Sequence, residues 1–233
     1  MIKPVFAAVA LLALSHTAQS AVIGSTSYGT NCWATSPAPS LPQSESATDQ
    51  PAFSSFLLCY AIAVPPSSGF SSVDTKQDSV VSDTAIVSTG SVEHSSSALY
   101  GGLGTSEMTV ILTPTVNTSY EFLTASGQAF TQLEPGFSLT KASFLIELVD
   151  DATATNLLRV TAAGTTGNLS GLLLAGQTYI LRARADVLES PLYNLASYDL
   201  NLALTAVPVP ATAPLLLSGL AALWWRRSRR EAC

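Results

Sequence analysis

Short segments in which apolar and polar residues alternate constrain the fold of this chain more than any other feature. In Tyr179–Ala185 (YILRARA), Arg182 and Arg184 fall on one side of an extended strand and the apolar residues on the other. Groups rich in Gly, Asn and Pro separate such segments, as turns do, at residues 134–136, 164–168 and 175–177. The strand-like segments are residues 80–88, 108–114, 119–124, 142–149, 157–162, 178–187 and 196–206.

Long helical periodicity is scarce, so the pattern predicts an all-β chain. Many short strands with intervening turns favour an antiparallel β-sandwich, and a jelly roll is one topology that fits them. We assign this sandwich domain to residues 73–206. Residues 21–72 form a Ser- and Pro-rich N-terminal region with one buried apolar segment, Phe53–Val64, which ends at Pro65 and Pro66.

The distribution of charge argues against a nucleic-acid partner. Only 11% of the residues are charged, and the formal net charge is -6. Five of the ten basic residues lie in the two terminal segments, whereas only one of the sixteen acidic residues does. The part between the ends therefore has five basic and fifteen acidic residues, a balance of about -10. A phosphate backbone would need clustered Lys and Arg instead.

The N-terminus has the features of a secretory signal peptide. Lys3 supplies the positive charge, and residues 5–14 form an apolar run that is shorter than the ~20 residues of a membrane span. Ala18 and Ser20 are the small residues that a signal peptidase requires near its cleavage site. We expect cleavage between Ser20 and Ala21, with residues 1–20 as the signal peptide.

Residues 207–233 have three parts with separate physical roles. Prolines hold the first part extended and accessible to a protease; it comprises Val207, Pro208, Val209, Pro210 and Ala211. Residues 212–225 are almost all apolar and are predicted to form a single transmembrane helix, with Trp224 and Trp225 at the membrane surface. The positive-inside rule keeps the arginines that follow in the cytoplasm: Arg226, Arg227, Arg229 and Arg230.

Residues 207–230 resemble a PEP-CTERM sorting signal, which has a Pro-x-Pro motif, a hydrophobic helix and an arginine cluster in this order. The family's usual Val-Pro-Glu-Pro has Val209 in place of Glu here, and the Val-Pro-x-Pro-Ala form is similar to the VPLPA variant. The resemblance implies processing near Pro208 and Pro210 by an exosortase, a membrane-embedded cysteine peptidase or transpeptidase of Gram-negative bacteria. The alternative is a membrane helix that is never cut. Both interpretations place the bulk of the chain outside the cytoplasm.

Cys32 and Cys59 are the two cysteines that precede the C-terminal segment. In an exported chain an even pair is most simply a disulfide, which here would tie the Pro-rich region to the apolar segment around Cys59. Two free buried thiols are the alternative. Cys233 follows the arginines and would be removed with the sorting signal, or lie in the cytoplasm if the signal is retained.

Few residues are candidates for catalysis or metal binding. His94 is the only histidine beyond the signal peptide and has polar neighbours, so we interpret it as a solvated loop residue. This composition predicts neither a histidine zinc site nor a catalytic triad. Two acidic groups are candidate calcium sites without a calcium-loop spacing, and we interpret them as solvated turns. They are Glu147, Asp150 and Asp151 at a strand end, and Asp74, Asp78 and Asp83 in a loop.

These features predict an exported, non-enzymatic protein of a Gram-negative cell surface or extracellular matrix, without a cofactor or metal. The predicted partners are an exosortase, the membrane through the C-terminal helix and, as the family resemblance implies, exopolysaccharide. A carbohydrate-binding or adhesive module is the first alternative, with Tyr193 and Tyr198 as the aromatic side chains that we expect to be exposed. A secreted hydrolase with paired carboxylates is the second.

Overall fold

The computed structural model describes residues 22–35, 40–62, 69–97, 101–132, 142–188 and 193–207. These residues form β-strands joined by turns and loops, with no helix among them. The strands are β1 (Val22–Ala34), β2 (Gln43–Thr48), β3 (Ala52–Ile62), β4 (Phe70–Val81), β5 (Ala85–Ser96), β6 (Gly102–Thr113), β7 (Thr118–Thr131), β8 (Ala142–Asp150), β9 (Thr155–Thr161), β10 (Gly164–Gly167), β11 (Ser170–Leu173), β12 (Tyr179–Val187) and β13 (Tyr193–Ala206).

The strands form two antiparallel sheets. One has seven strands in the order β10-β9-β8-β12-β6-β1-β2, and the other has six in the order β11-β7-β13-β5-β4-β3. Each neighbouring pair is antiparallel. The prediction of an all-β chain with antiparallel sheets is confirmed.

The sheets pack face to face around one apolar core. Strand β6 contacts β4 and β5 of the other sheet, and β12 contacts β13. Within β12, Leu181, Ala183 and Ala185 are fully buried, whereas Arg182 and Arg184 point outward, as their alternation predicts. Burial of such inward rows supplies the main favourable term in folding.

The strand order is built from eight strands, with four more at one side and β10 beside β9 at the other. Numbering β5, β6, β7, β8, β9, β11, β12 and β13 from one to eight gives the order 1-8-3-6 in one sheet and 2-7-4-5 in the other. Strands β3 and β4 extend the six-stranded sheet beside β5, and β1 and β2 extend the seven-stranded sheet beside β6. Residues 22–62 thus contribute three strands to the same two sheets as the rest of the chain.

Part of the core is polar. The inward side chains of β4 include Thr75, Gln77 and Ser79, all buried. The Ser79 hydroxyl lies 2.7 Å from that of Ser88, which in turn lies 3.2 Å from the hydroxyl of Tyr198. Burial raises the pKa of Tyr198 to about 12. The prediction that Tyr198 is exposed is therefore wrong, since only 2% of its surface is accessible.

Several predicted features fall outside the residues that the structure describes. They are the signal peptide with its cleavage site at Ser20 and Ala21, the motif residues Pro208, Val209, Pro210 and Ala211, the predicted transmembrane helix, and Arg226, Arg227, Arg229 and Arg230. Within the described ranges, no helix has the length and hydropathy of a membrane span. Val207 follows β13 directly, and its N–H donates a hydrogen bond to the carbonyl of Asn117 at 2.8 Å.

Candidate functional site

A row of side chains crosses four strands on the outer face of the six-stranded sheet. The register places Tyr60 of β3 beside Ser72 of β4, Ser72 beside Ser95 of β5, and Ser95 beside Tyr193 of β13. These four side chains share one face because they are directly opposed across neighbouring strands. The row therefore has an aromatic ring at each end and two serine hydroxyls between them.

Each end of the row has a second aromatic ring. Tyr60 stacks on Phe70 with ring centroids 6.0 Å apart, and Phe130 lies 6.0 Å from Tyr193. Tyr60 and Phe130 are each about half exposed. Three strand spacings separate β3 from β13, so the two aromatic pairs lie about 14 Å apart. We call Tyr60, Phe70, Phe130 and Tyr193 the aromatic row.

Two carboxylates border the aromatic row. Asp74 and Glu93 are directly opposed on β4 and β5, between Leu58 of β3 and Leu195 of β13. Burial raises the pKa of Asp74, and the charge of Glu93 raises it further. Burial, followed by the charge of Glu93 and a hydrogen bond to it, also raises the pKa of Tyr193. This part of the face is thus acidic and rich in hydrogen-bond acceptors.

The nearest cation on β4 does not neutralise this acidic pair. The Nζ of Lys76 lies 3.6 Å from Oδ2 of Asp78, on the side away from Asp74 along the strand. Asp74 Oδ1 is buried and has no hydrogen-bond partner among the residues that the structure describes. The face therefore carries uncompensated negative charge beside exposed aromatic rings.

His94 lies in the core, not in a solvated loop as predicted. It is on β5 with no accessible surface, and burial lowers its pKa to about 4. Its Nε2 is 3.2 Å from Oγ of Ser71, and its Nδ1 is 3.4 Å from Nδ2 of Asn194. Gly102 leaves the necessary space, because a Cβ there would lie 2.7 Å from Cδ2 of the imidazole.

The hydrogen bonds of this cluster assign the tautomer of His94. The hydroxyl of Ser71 donates to the carbonyl of Gly101 at 2.9 Å, so Ser71 Oγ accepts a hydrogen bond from the Nε2–H of His94. Nδ1 then accepts from Asn194. A general base would need a free lone pair at Nε2 to take the serine proton. In this arrangement Ser71, His94 and Asn194 form a buried polar contact between strands, without the proton path of a triad.

The fold gives the members of each predicted acidic group different surroundings. Asp74 and Asp78 lie on β4 rather than in a loop, and Asp83 lies in the turn that follows. In the other group, Glu147 is largely buried and accepts a hydrogen bond from Arg182 at 3.0 Å. Asp150 instead accepts backbone N–H groups of its own turn, at residues 152 and 153. Among the residues described, no group of three or more His, Cys, Asp or Glu is placed to hold a metal ion.

A disulfide joins Cys32 of β1 to Cys59 of β3, with their Cα atoms 5.8 Å apart. Both side chains are buried. Because β1 and β3 belong to different sheets, this bond ties the two layers of the sandwich together.

The aromatic row could not be identified from the sequence because Phe53–Val64 is apolar on both faces. We interpreted the whole segment as buried, but its residues alternate within β3. Leu57, Cys59 and Ala61 point into the core, whereas large apolar side chains on the other face are exposed. Those exposed side chains are Phe56, Leu58, Tyr60 and Ile62.

In comparisons with known proteins, no family model, curated protein or solved structure matches this chain.

Proposed function

We propose that the chain is an exported, non-enzymatic protein of a Gram-negative cell surface or matrix, sorted by an exosortase and associated with exopolysaccharide. The Cys32–Cys59 disulfide supports export, because disulfides persist in oxidising compartments. The position of Val207 supports processing: β13 ends at Ala206, so the proposed sorting motif begins where the sheet ends.

Sorting predicts two cleavages. We expect the intact mass of the protein from its host to lack residues 1–20 and the residues beyond about Pro210. A variant with Gln at the four terminal arginine positions should stay unprocessed, because the positive charges that hold the tail in the cytoplasm are lost. A wild-type mass that retains Trp224 to Cys233 would instead indicate an uncut membrane anchor.

We propose further that the eight strands β5 to β9 and β11 to β13 are a jelly roll. Their orders 1-8-3-6 and 2-7-4-5 support it, since two Greek keys wrapped around one core produce this alternation between sheets. In this arrangement β3 and β4 broaden one face. That broadened face carries the aromatic row.

The aromatic row is the observation that carries the proposed binding of polysaccharide. The apolar faces of sugar rings pack on aromatic rings, and sugar hydroxyls pair with hydroxyl and carboxylate oxygens. The face offers both, with Tyr60 and Phe70 at one end, Phe130 and Tyr193 at the other, and hydroxyl and carboxylate side chains between them. The acidic pair on this face disfavours a polyanion. We therefore propose a neutral or amine-bearing polysaccharide as the ligand.

Removing one ring should weaken this binding. We expect Tyr60→Ala and Tyr193→Ala each to lower affinity for the host exopolysaccharide about tenfold, which corresponds to about 1.4 kcal/mol. Tyr60→Phe keeps the stacking surface and should bind almost as the wild type does. Leu123→Ala removes an exposed apolar side chain elsewhere on the same sheet and serves as the matched control. Isothermal titration calorimetry measures all four.

The same titration, together with an assay for released reducing sugar, distinguishes the alternatives. Unchanged affinity in both alanine variants would refute the aromatic row as the binding site. Release of reducing sugar that is lost in Glu93→Gln would favour the hydrolase alternative, with Asp74 and Glu93 as its carboxylates. These two residues are directly opposed on one sheet, which favours binding over cleavage, since a glycosidase encloses the sugar between its carboxyl groups.

A further inference from the structure

We propose that two copies of this chain associate by antiparallel pairing of their β3 strands, so that the two six-stranded sheets become one continuous sheet. The inference does not rest on polysaccharide binding, although Tyr60 belongs to both surfaces. It starts from the edges of the sheets. The strands at the ends of the two sheets are β2, β10, β11 and β3 in the part of the chain that the structure describes.

Three of these end strands are short, and β3 is long. Strands β2, β10 and β11 have six, four and four residues, whereas β3 has eleven. Soluble proteins protect an exposed edge by shortness, charge, proline or a bulge. The sequence of β3, AFSSFLLCYAI, contains no charged residue and no proline, and its register with β4 is unbroken. Strand β3 therefore lacks the features that keep an edge from pairing.

The backbone of β3 has groups available for another strand. The carbonyl of Pro51 accepts a hydrogen bond from the N–H of Val81, so the odd-numbered residues of β3 face β4. Even-numbered residues, such as Phe56 and Leu58, direct their N–H and C=O away from the sheet. Within the described chain no strand pairs with β3 on that side. A second strand could therefore add hydrogen bonds along residues 52–60 of β3.

The side chains on the outer face of β3 supply apolar area for the same contact. Phe56, Leu58, Tyr60 and Ile62 are 63%, 49%, 51% and 44% exposed. At about 100 Å² of accessible surface each, they offer about 800 Å² across two copies before the backbone is counted. A specific interface buries about 1,200 Å² or more in total. The exposed backbone along the edge of each β3 strand adds to this area and brings it closer to that range.

The symmetry of β3 favours a second copy over an unrelated strand. A two-fold axis at Leu58 places this residue opposite itself and Phe56 opposite Tyr60 of the second copy. Apolar side chains then meet apolar side chains, and no like charges are opposed. Among the described strands each copy has one such edge, so the assembly closes at two chains instead of growing into a fibre.

Sedimentation of the full chain in detergent tests this pairing. We expect the wild type to sediment as a dimer. In Leu58→Lys, two ammonium groups would be opposed at the axis, and dimer affinity should fall at least about a hundredfold. Leu123→Lys adds the same charge at a residue that is 60% exposed on β7, and should remain dimeric.

Thermal unfolding checks that each variant is folded, and Phe56→Lys provides a second, independent change on β3. A monomeric wild type would overturn the proposal. So would a dimer that persists in both β3 variants, because the association would then arise elsewhere, for example in the C-terminal apolar segment that every variant retains.

Discussion

We expect loss of the Cys32–Cys59 disulfide to cost about 3.5 kcal/mol of unfolding free energy. The bond closes a loop with a sequence separation of 27 residues, and cross-linking a loop of this length removes about that much entropy from the unfolded chain. For a chain of this size, the melting temperature should fall by about 10 °C. The bond joins the two sheets at buried positions in β1 and β3.

Urea unfolding of Cys32→Ala/Cys59→Ala measures this cost. The experiment uses a Cys233→Ala background so that no third thiol can exchange. Reduction of the same background with its cysteines intact separates the cross-link from the volume lost on truncation, because the reduced thiols still fill the core. If the reduced protein unfolded at the same urea concentration as the oxidised one, the disulfide would not stabilise the fold.

The strands that sequence predicts well are those whose inward side chains are large and apolar. Residues 142–149 and 178–187 correspond closely to β8 and β12, in which Phe144, Ile146 and Leu181 point into the core. Alternation of hydropathy is visible there because burial and apolar character coincide. By contrast, the single strand predicted at 80–88 is wrong, since a turn at residues 82–84 separates β4 from β5. Apolar residues on both sides of that turn concealed it.

Strands β1 and β4 were not predicted, because their inward positions include small polar residues. Thr26 and Thr30 of β1 are buried, as are Ser71 and Thr75 of β4. The hydroxyls of Thr26, Thr30 and Ser71 have hydrogen-bond partners, as Thr30 does in Ser55 at 2.6 Å. Such strands alternate in exposure but not in hydropathy. Gly102, the first residue of β6, is likewise buried without being a large apolar residue, and it lies against His94.

The candidate site depends on the register of the strands, which could not be inferred from the sequence. Tyr60 and Tyr193 are brought to one face by three successive strand pairings, β3 with β4, β4 with β5, and β5 with β13. A shift of one residue in any of these pairings would send one of the rings into the core. Tyr193 was expected to be exposed, but its role at one end of a row follows only from the pairings.

Acidification should destabilise the fold through His94. The pKa of this imidazole is about 4 in the folded chain and 6.5 in the unfolded chain. The unfolded chain therefore binds a proton first as the pH falls below 6.5, and folding stability decreases until the pH reaches about 4. At about 1.4 kcal/mol for each pH unit, this difference amounts to about 3 kcal/mol. Above pH 6.5 the contribution is fully present.

The surroundings of His94 explain why no compensating interaction arises on protonation. Its ring contacts Ser71, Asn194 and Gly102, none of which is charged. Nδ1 accepts a hydrogen bond from the amide of Asn194, so protonation of Nδ1 would place its N–H donor against the N–H donor of Asn194. Asp74, whose pKa is raised, acts in the opposite sense, because the folded chain takes up its proton before the unfolded chain does.

Urea unfolding between pH 7 and pH 4 tests the role of His94. The free energy of unfolding of His94→Gln should depend on pH less steeply than that of the wild type, by up to one proton, because the glutamine does not titrate. Asp74→Asn should make the acid loss steeper. In a His16→Gln background, where His94 is the remaining histidine, NMR should show no imidazole titration in the folded chain above about pH 5. Equal pH slopes in the wild type and His94→Gln would mean that other groups destabilise the fold in acid.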